Sequence, residues 1–357
     1  VNSSRLSGIA ALGALAFVLG GCSGGEQVTT GVDSLSIATL GAVTPDQQAF
    51  MDRMNELSEG SIALDMNENW TGSGGDSDEI ALTKAVAAGD VDMAWVTVRS
   101  LSALGIEGID ALEAPMLIQT HDQQRAVALG VPAELIVSAL RNSPVEGLAM
   151  LPGPTEYPIA SGAPLLAPGD WAGKTIQVGA TSPVESLTAK TLGATPSTDG
   201  TGGAADVVSG SVQAATDHPG DLVAAGVVKD GPVMTSNVAL WPRMTMVLIN
   251  RDVLDRLSSR QNGFLEGAVV RAKDSAMSTP PDFTTQIADA CAAGALFGIA
   301  TGDQVEAFRS AIAPVYAKLA DDPKNGKLFA AIQDAVKRHA GTGNLSIPAA
   351  CRWTAPE

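Results

Sequence analysis

Gln177 is the side chain that first raises a question of chemistry. It closes the extended run of GKTIQVGATSP, residues 173–183, which then breaks into small residues and a capped helix start. A glutamine amide offers two donors and an acceptor but no charge, so it suits hydroxyl or amide groups and cannot neutralise a buried carboxylate. Thr175 lies on the same strand face by period-two alternation. Covalent and metal chemistry find little support. The three histidines, His121, His218 and His339, are not spaced for zinc. TGSGGDSDE (71–79) has neither the Gly-Lys-Ser/Thr of a phosphate loop nor the alternating ligands of a calcium loop. Asp76 and Ser77 read as caps of the next helix. His218, beside Asp217, reads either as a turn histidine before Pro219 or as a ligand contact. No metal, no cofactor and no enzymatic activity is expected.

These side chains must be positioned by an alternating α/β chain. LSIATL (35–40), SIALDMNE (61–68), VDMAWV (91–96), VEGLAML (145–151) and KTIQV (174–178) read as strands. PDQQAFMDRMNELSEG (45–60), SDEIALTKAVAAG (77–89) and the Pro132-interrupted run 121–140 read as helices. ATLGAVTPDQQAF (38–50) and IQVGATSPVESL (176–187) share one grammar: a strand, Gly-Ala, one residue, then Thr-Pro or Ser-Pro opening a helix. Thr44 and Ser182 fit N-caps, with Pro45 and Pro183 at the first helical position. Each unit presents backbone N–H groups at the carboxyl end of a strand, where open α/β sheets bind ligands. Two such units suggest two lobes facing one cleft, or simply two well-capped crossovers.

A chain of 357 residues with 45% hydrophobic and 17% charged residues can bury the core of about two domains. Its 39 acidic and 22 basic residues give a net charge of −17 with no basic cluster, which argues against nucleic acid as a partner. Arg5 precedes the apolar run Gly8 to Gly21, too short to cross a bilayer and read as a signal peptide over residues 1–21. Its end, Leu19-Gly20-Gly21-Cys22, resembles the lipobox of bacterial lipoproteins, which implies lipidation at Cys22, a flexible tether over 22–33 and an extracytoplasmic protein anchored to the cell membrane. An incidental cysteine in a secreted protein is the alternative. Cys291 and Cys351 then form an isolated pair, read as a disulfide or as two separate thiols.

The ordered series LSEGSIALDM, TKAVAAGDVDMAW, ALEAPMLI, APGDWAGKTIQV, LGATPS, SGSVQAATDHP and TMVLINRDVLDRL resembles the solute-binding proteins of tripartite ATP-independent periplasmic (TRAP) transporters, the DctP-like family, from about Leu35 to Ala290. The resemblance implies an α/β, two-lobed, type II-like periplasmic-binding-protein fold with a long spanning helix, here 259–277. Lobe I would comprise 34–151 and 236–278, and lobe II 152–235 and 279–357. It implies capture of a small polar solute between the lobes and delivery to integral-membrane permease subunits. A solute sensor coupled to a membrane kinase is the alternative.

In that family the position of Gln177 normally carries an arginine that forks onto a solute carboxylate. A second arginine would fall near GPTEYP (153–158), where Thr155 and Glu156 stand, and the family's asparagine aligns with Asp217. The expected pocket therefore prefers a neutral polar or cationic solute. Glu156 and Asp217 would attract an ammonium, with Trp95 or Trp70 available for a cation–π contact. Arg99, just past VDMAWV, reads either as an anion site moved to lobe I or as a partner of surface acids. Trp171 and Trp241 are expected in the core.

Overall fold

A computed structural model describes residues 31–70, 75–200, 202–228 and 231–355. The apolar leader and Cys22 lie outside them. The first half of the chain alternates β1 (Ser34–Ala38), α1 (Pro45–Ser58), β2 (Ala63–Asn67), α2 (Asp76–Ala88) and β3 (Met93–Thr97), followed by α3 (His121–Ala128), α4 (Val131–Ala139) and β4 (Val145–Leu151). The chain then builds β5 (Thr155–Ala160), β6 (Thr175–Gln177), α5 (Pro183–Thr191), β7 (Thr195–Ser197), α6 (Ala204–Ser209), β8 (Ala214–Asp217) and β9 (Val233–Thr235). It returns through β10 (Trp241–Pro242) to β11 (Thr245–Asn250), then α7 (Arg251–Arg256) and α8 (Ser259–Ser278). It ends with α9 (Phe283–Ala293), β12 (Leu296–Gly298), α10 (Gly302–Asp321) and α11 (Gly326–Val336). Gly75, rather than Asp76 or Ser77, occupies the N-cap of α2, because the helix begins one residue earlier than the pattern suggests.

Two sheets result. The first runs β2-β1-β3-β11-β4, parallel through β1, β2 and β3 and antiparallel at β11. Its central strands β3 and β11 are buried on both faces, as the middle of a sheet covered on both sides must be, whereas the edge strand β2 is open to solvent. Met93, Trp95, Val247 and Ile249 meet Phe50 and Met54 of α1 and Leu265 and Ala268 of α8, while Ala94, Val96, Met246 and Leu248 face α2. The second runs β12-β9-β5-β8-β6-β7, with β10 beside β5. Trp171 is buried there edge-on to Phe308, and Trp241 is buried in the same cluster, so both are core residues.

The chain crosses between the sheets at Pro152-Gly153-Pro154 and at Arg243-Met244, and the crossings touch. The Arg243 N–H donates to the Pro154 carbonyl at 2.8 Å, and the Arg243 carbonyl leaves no room for a Cβ on Gly153, which would sit 1.7 Å away. Gly153→Ala is expected to cost about 1–3 kcal/mol through forced backbone displacement, measurable as a lowered urea midpoint against an unchanged Gly169→Ala control, where nothing lies within 4 Å.

The helix expected to span the lobes forms as α8, but its buried stripe of Leu265, Ala268, Val269 and Ala272 packs in the α1 layer of the first sheet, and Met277 near its end joins the core on that sheet's other face. The helix that joins both halves is α10. Phe308 and Ile312 enter the second sheet's core, and Val315 and Leu319 one turn later enter the first sheet's. The apolar stripe of α8 meets one sheet along its length, whereas that of α10 meets two. After α10, α11 packs on α3 and α4. Cys291 of α9 is joined to Cys351, with Cα atoms 5.6 Å apart. Thiol labelling of the unfolded, unreduced domain lacking Cys22 should therefore find no free thiol, and two labelled cysteines would refute the bridge.

Candidate binding cleft

The carboxyl ends of β1, β3 and β4 open onto a cavity of about 290 Å³ lined by Thr39, Asp46, Glu79, Trp95, Thr97 and Thr245, among others. Trp95 is held there by two contacts. Its indole N–H donates to Asp46 Oδ2 at 2.9 Å, and its ring stands edge-on to Phe50 with centroids 5.3 Å apart. Thr97 donates to Glu79 Oε2 at 2.5 Å. Trp70 does not line this cavity. Its backbone N–H donates to the Thr39 carbonyl and its half-buried ring packs against the core beside α2.

On the opposite half, Gln177 and Asp217 come together, joined through one turn. Gln177 Oε1 accepts from the Gly203 N–H at 3.4 Å, and Asp217 Oδ2 accepts from the Ala204 N–H at 2.7 Å, so both side chains hold the start of α6. Gly203 must be glycine here, because its φ of +71° is left-handed and a Cβ would fall 2.4 Å from Asp217 Oδ2. Burial first, and the charge of Asp221 second, push the Asp217 carboxyl up to about 6, although the Ala204 N–H favours its ionised form. Thr175 sits at the start of β6, two residues behind Gln177, with its N–H donating to Gln213 Oε1 at 2.6 Å. It is on the same strand face but set back from the strand's carboxyl end.

Glu156 is 2% exposed at the boundary of the two sheets. Thr216 donates to it at 2.6 Å and the Trp241 indole at 2.7 Å, both to Oε2, while Arg243 Nε donates to Oε1. Burial opposes its charge, but Arg243, Arg99 and these hydrogen bonds outweigh it and hold the carboxyl down at about 2. Arg243 also reaches Glu79, 3.8 Å away.

Arg99 is neither exposed nor paired with surface acids. Its side chain is 7% exposed, and three buried glutamates from both halves converge on it. Nη1 donates to Glu185 Oε1 of α5 at 3.2 Å and lies 4.0 Å from Glu113, and Nε is 3.5 Å from Glu79. The Ser182 hydroxyl donates across the same boundary to Glu113 Oε2. Burial, and then the neighbouring Glu185 charge, favour the neutral acid and push the Glu113 carboxyl well above its ordinary range, although the Arg99 charge opposes them.

The repeated helix starts adopt the expected form and reveal a further shared feature. Thr44 caps α1, and Ser182 caps α5 by accepting from the Glu185 N–H at 3.2 Å. In each first turn the protein supplies its own anion: Asp46 in α1, bonded to Trp95, and Glu185 in α5, which also accepts from the Gly179 N–H at 2.6 Å. These carboxylates complement the helix dipoles and leave both termini poorly disposed to a second anion.

Among the described residues, Asp217, His218 and Asp221 could draw three ligand atoms together. The chemistry disfavours an ion. His218 Nδ1 accepts from the Gly220 N–H at 3.1 Å, so Nε2 carries the proton and donates to Asp221 Oδ2 at 2.9 Å, leaving no ring lone pair for a metal.

The sequence matches the model of the DctP family, described as bacterial extracellular solute-binding protein, family 7, over residues 42–322. The chain belongs to this family. It is thereby a solute-binding protein of an extracytoplasmic family and not an enzyme. No curated protein matches the sequence. Solved structures of TRAP periplasmic solute-binding proteins share the fold. One from Ralstonia eutropha H16, with bound (S)-2-acetolactate, has a TM-score of 0.73 at 19% identity, covering 86% of this chain and 100% of that one. One from Sulfitobacter sp. NAS-14.1, with bound β-D-galacturonate, has a TM-score of 0.72 at 16% identity, covering 84% and 99%. A third, from Desulfovibrio desulfuricans with bound sn-glycerol-3-phosphate, has a TM-score of 0.72 at 17% identity, covering 86% and 98%.

Within the family framework, the residues that sequence reasoning missed are acidic: Asp46, Glu79, Glu113 and Glu185, together with their partner Arg243. Asp46 and Glu185 could have been found, since each follows its Thr-Pro or Ser-Pro by one or two positions in the repeated grammar. Glu79 and Glu113 sit in ordinary helical sequence, and only the fold turns them toward Arg99.

Proposed function

We propose that this protein captures a small neutral polar or cationic solute between its two sheets and delivers it to integral-membrane permease subunits. The observation that supports this reading is the charge balance of the cleft. Asp46 and Glu79 line the cavity, and behind it Glu79, Glu113, Glu156 and Glu185 outnumber the two guanidiniums, Arg99 and Arg243, which they engage. With Glu113 neutral the balance still favours a cation. A solute carboxylate entering here would meet Gln177 instead of a charged fork and would lack the charge-assisted partners that burial demands. An ammonium or hydroxyl group would find Glu79, Asp46 and the Trp95 ring around the 290 Å³ cavity. The anionic solutes seen in the acetolactate, galacturonate and glycerol-phosphate complexes of structural neighbours make a carboxylate the direct competitor. A thermal-shift screen over amines, polyols, dicarboxylates and sugar acids tests the choice. A ligand at about 100 times its dissociation constant is expected to stabilise by about 2.7 kcal/mol. Amines or polyols should produce the shift, and a lead by succinate or galacturonate overturns the proposal.

Permease delivery follows the transport role of TRAP proteins. Anchoring completes the reading. No described helix is long and apolar enough to cross a membrane, and the LGGC motif offers Cys22 as a lipid attachment point. Membrane-extracted protein is expected to carry a diacylglyceryl-type mass addition at Cys22. A Cys22→Ala form that stays on the membrane would overturn this.

A further inference from the structure

We infer that Glu185 is a specificity-determining residue: it occupies the cleft's own carboxylate site on Arg99 and so excludes carboxylate solutes. Three features of its surroundings are those a bound carboxylate would need. Arg99 Nη1 donates to Oε1 at 3.2 Å, the Gly179 N–H donates to Oε2 at 2.6 Å, and the group sits in the first turn of α5, where the helix dipole favours negative charge. The site is dry: the Glu185 side chain is 2% exposed and that of Arg99 7%. A buried cation, a backbone donor and a helix terminus converging on one carboxylate make an anion receptor, and the anion filling it is covalently part of the chain.

Two further points separate this arrangement from an ordinary ion pair. Arg99 comes from the half that carries β3 and Glu185 from the half that carries β6, so the pair joins the two halves, and it does so directly behind the cavity: Arg99 Nε lies 3.5 Å from Glu79, which lines it. The equivalent first-turn acid of α1, Asp46, is bonded to the Trp95 indole and Thr44 rather than to an arginine, so the N-terminal grammar alone does not require a cation partner. Because Glu185 is tethered, its effective concentration at Arg99 exceeds that of a free solute carboxylate, which must also lose its own translational freedom. The inference rests on the neutral or cationic solute reading above and assigns one residue as the cause of it.

Glu185→Ala should empty a volume the size of a carboxylate arm while leaving Arg99 and the Gly179 N–H in place. Thermal unfolding of wild type, E185A and E185Q is followed against sodium acetate and sodium succinate, with sodium chloride at matched ionic strength as the control. E185A is expected to gain a saturable rise in Tm with acetate, at an affinity about tenfold or more above that of wild type. E185Q, which fills the same space without charge, should not gain it. If acetate and chloride act alike on E185A while wild type still ignores succinate, the role of Glu185 is overturned and the solute reading stands. If wild type itself binds succinate tightly, the solute reading fails with it. Should E185A not fold in buffer, recovery of its circular dichroism by acetate but not chloride supports the inference, and no recovery overturns it.

Discussion

Replacing Glu156 with leucine is expected to lower the unfolding free energy by about 3–5 kcal/mol. The carboxylate is the common acceptor for three donors from three places in the chain: Thr216 of β8, the Trp241 indole of β10, and Arg243 in the crossing between the sheets. An apolar side chain of similar size would leave a partly buried guanidinium, a buried indole N–H and a buried hydroxyl without that acceptor, and orphaned partners cost more than the lost contact itself. Glu156→Gln should lose less, because its carbonyl oxygen can still accept. Urea unfolding checks the order, and a loss below about 1 kcal/mol for the leucine variant would contradict it. The same group shapes the acid limb. Its native value of about 2 lies below that of an unfolded glutamate, near 4.3, so its contribution is fully present above the unfolded value. It is lost as pH falls from about 4.3 through 2, amounting to about 3 kcal/mol. Glu113 and Asp217 act in the opposite sense, because their native values are raised. Their contributions are complete below the unfolded carboxyl range and are lost as pH rises, through about 6 for Asp217. The three together predict stability that increases on mild acidification from neutral pH and then falls steeply below about pH 4. Glu156→Gln should remove the second limb and leave the first.

How far these side chains could be read in advance differs by residue, and the difference has a physical origin. Strand and helix periods are local, so the run VEGLAML gave a strand with the bounds Val145–Leu151 and Thr44-Pro45 and Ser182-Pro183 gave two helix starts. Gln177 and Asp217 each end a strand of the same sheet, a position that the local pattern can convey. What the strand pattern could not convey is that their polar atoms are turned to the α6 start, since that depends on the glycine at 203, where a Cβ would fall 2.4 Å from Asp217 Oδ2. Arg99 shows the limit most clearly. Sequence context left it between a solute anion site and a surface pair, and neither anticipates a buried side chain meeting Glu79, 20 positions back, and Glu185, 86 positions ahead. Separations of that length are set by tertiary packing alone. The spanning helix illustrates the same point for apolar residues: α8 and α10 are equally long at 20 residues, and only the neighbours of their stripes decide which one joins the halves.

Arg99→Met is expected to destabilise the closed arrangement by about 3–5 kcal/mol, the cost of leaving buried charges without their partner. Unlike Glu156, whose donors lie in the second sheet and the crossing strand, Arg99 draws its acceptors from both halves. Its removal leaves the carboxylate of Glu79 in one half facing that of Glu185 in the other, beside the neutral Glu113. Two routes relieve that repulsion. Parting of the halves returns the carboxylates to water, and proton uptake neutralises them in place, because losing a nearby cation raises a carboxyl's affinity for protons. At neutral pH the first route dominates, so small-angle scattering of the solute-free variant should give a larger radius than wild type. On acidification toward pH 4.5 the second takes over, and the radius should contract toward the wild-type value while wild type changes little. Arg99→Lys separates charge from geometry: an ammonium retains attraction to Glu185 but cannot reach three acceptors with a planar fork, so its radius and stability should fall between the two. A variant with wild-type scattering at every pH and a loss below about 1 kcal/mol would show that the buried glutamates are held by other means, and that Arg99 does not join the halves.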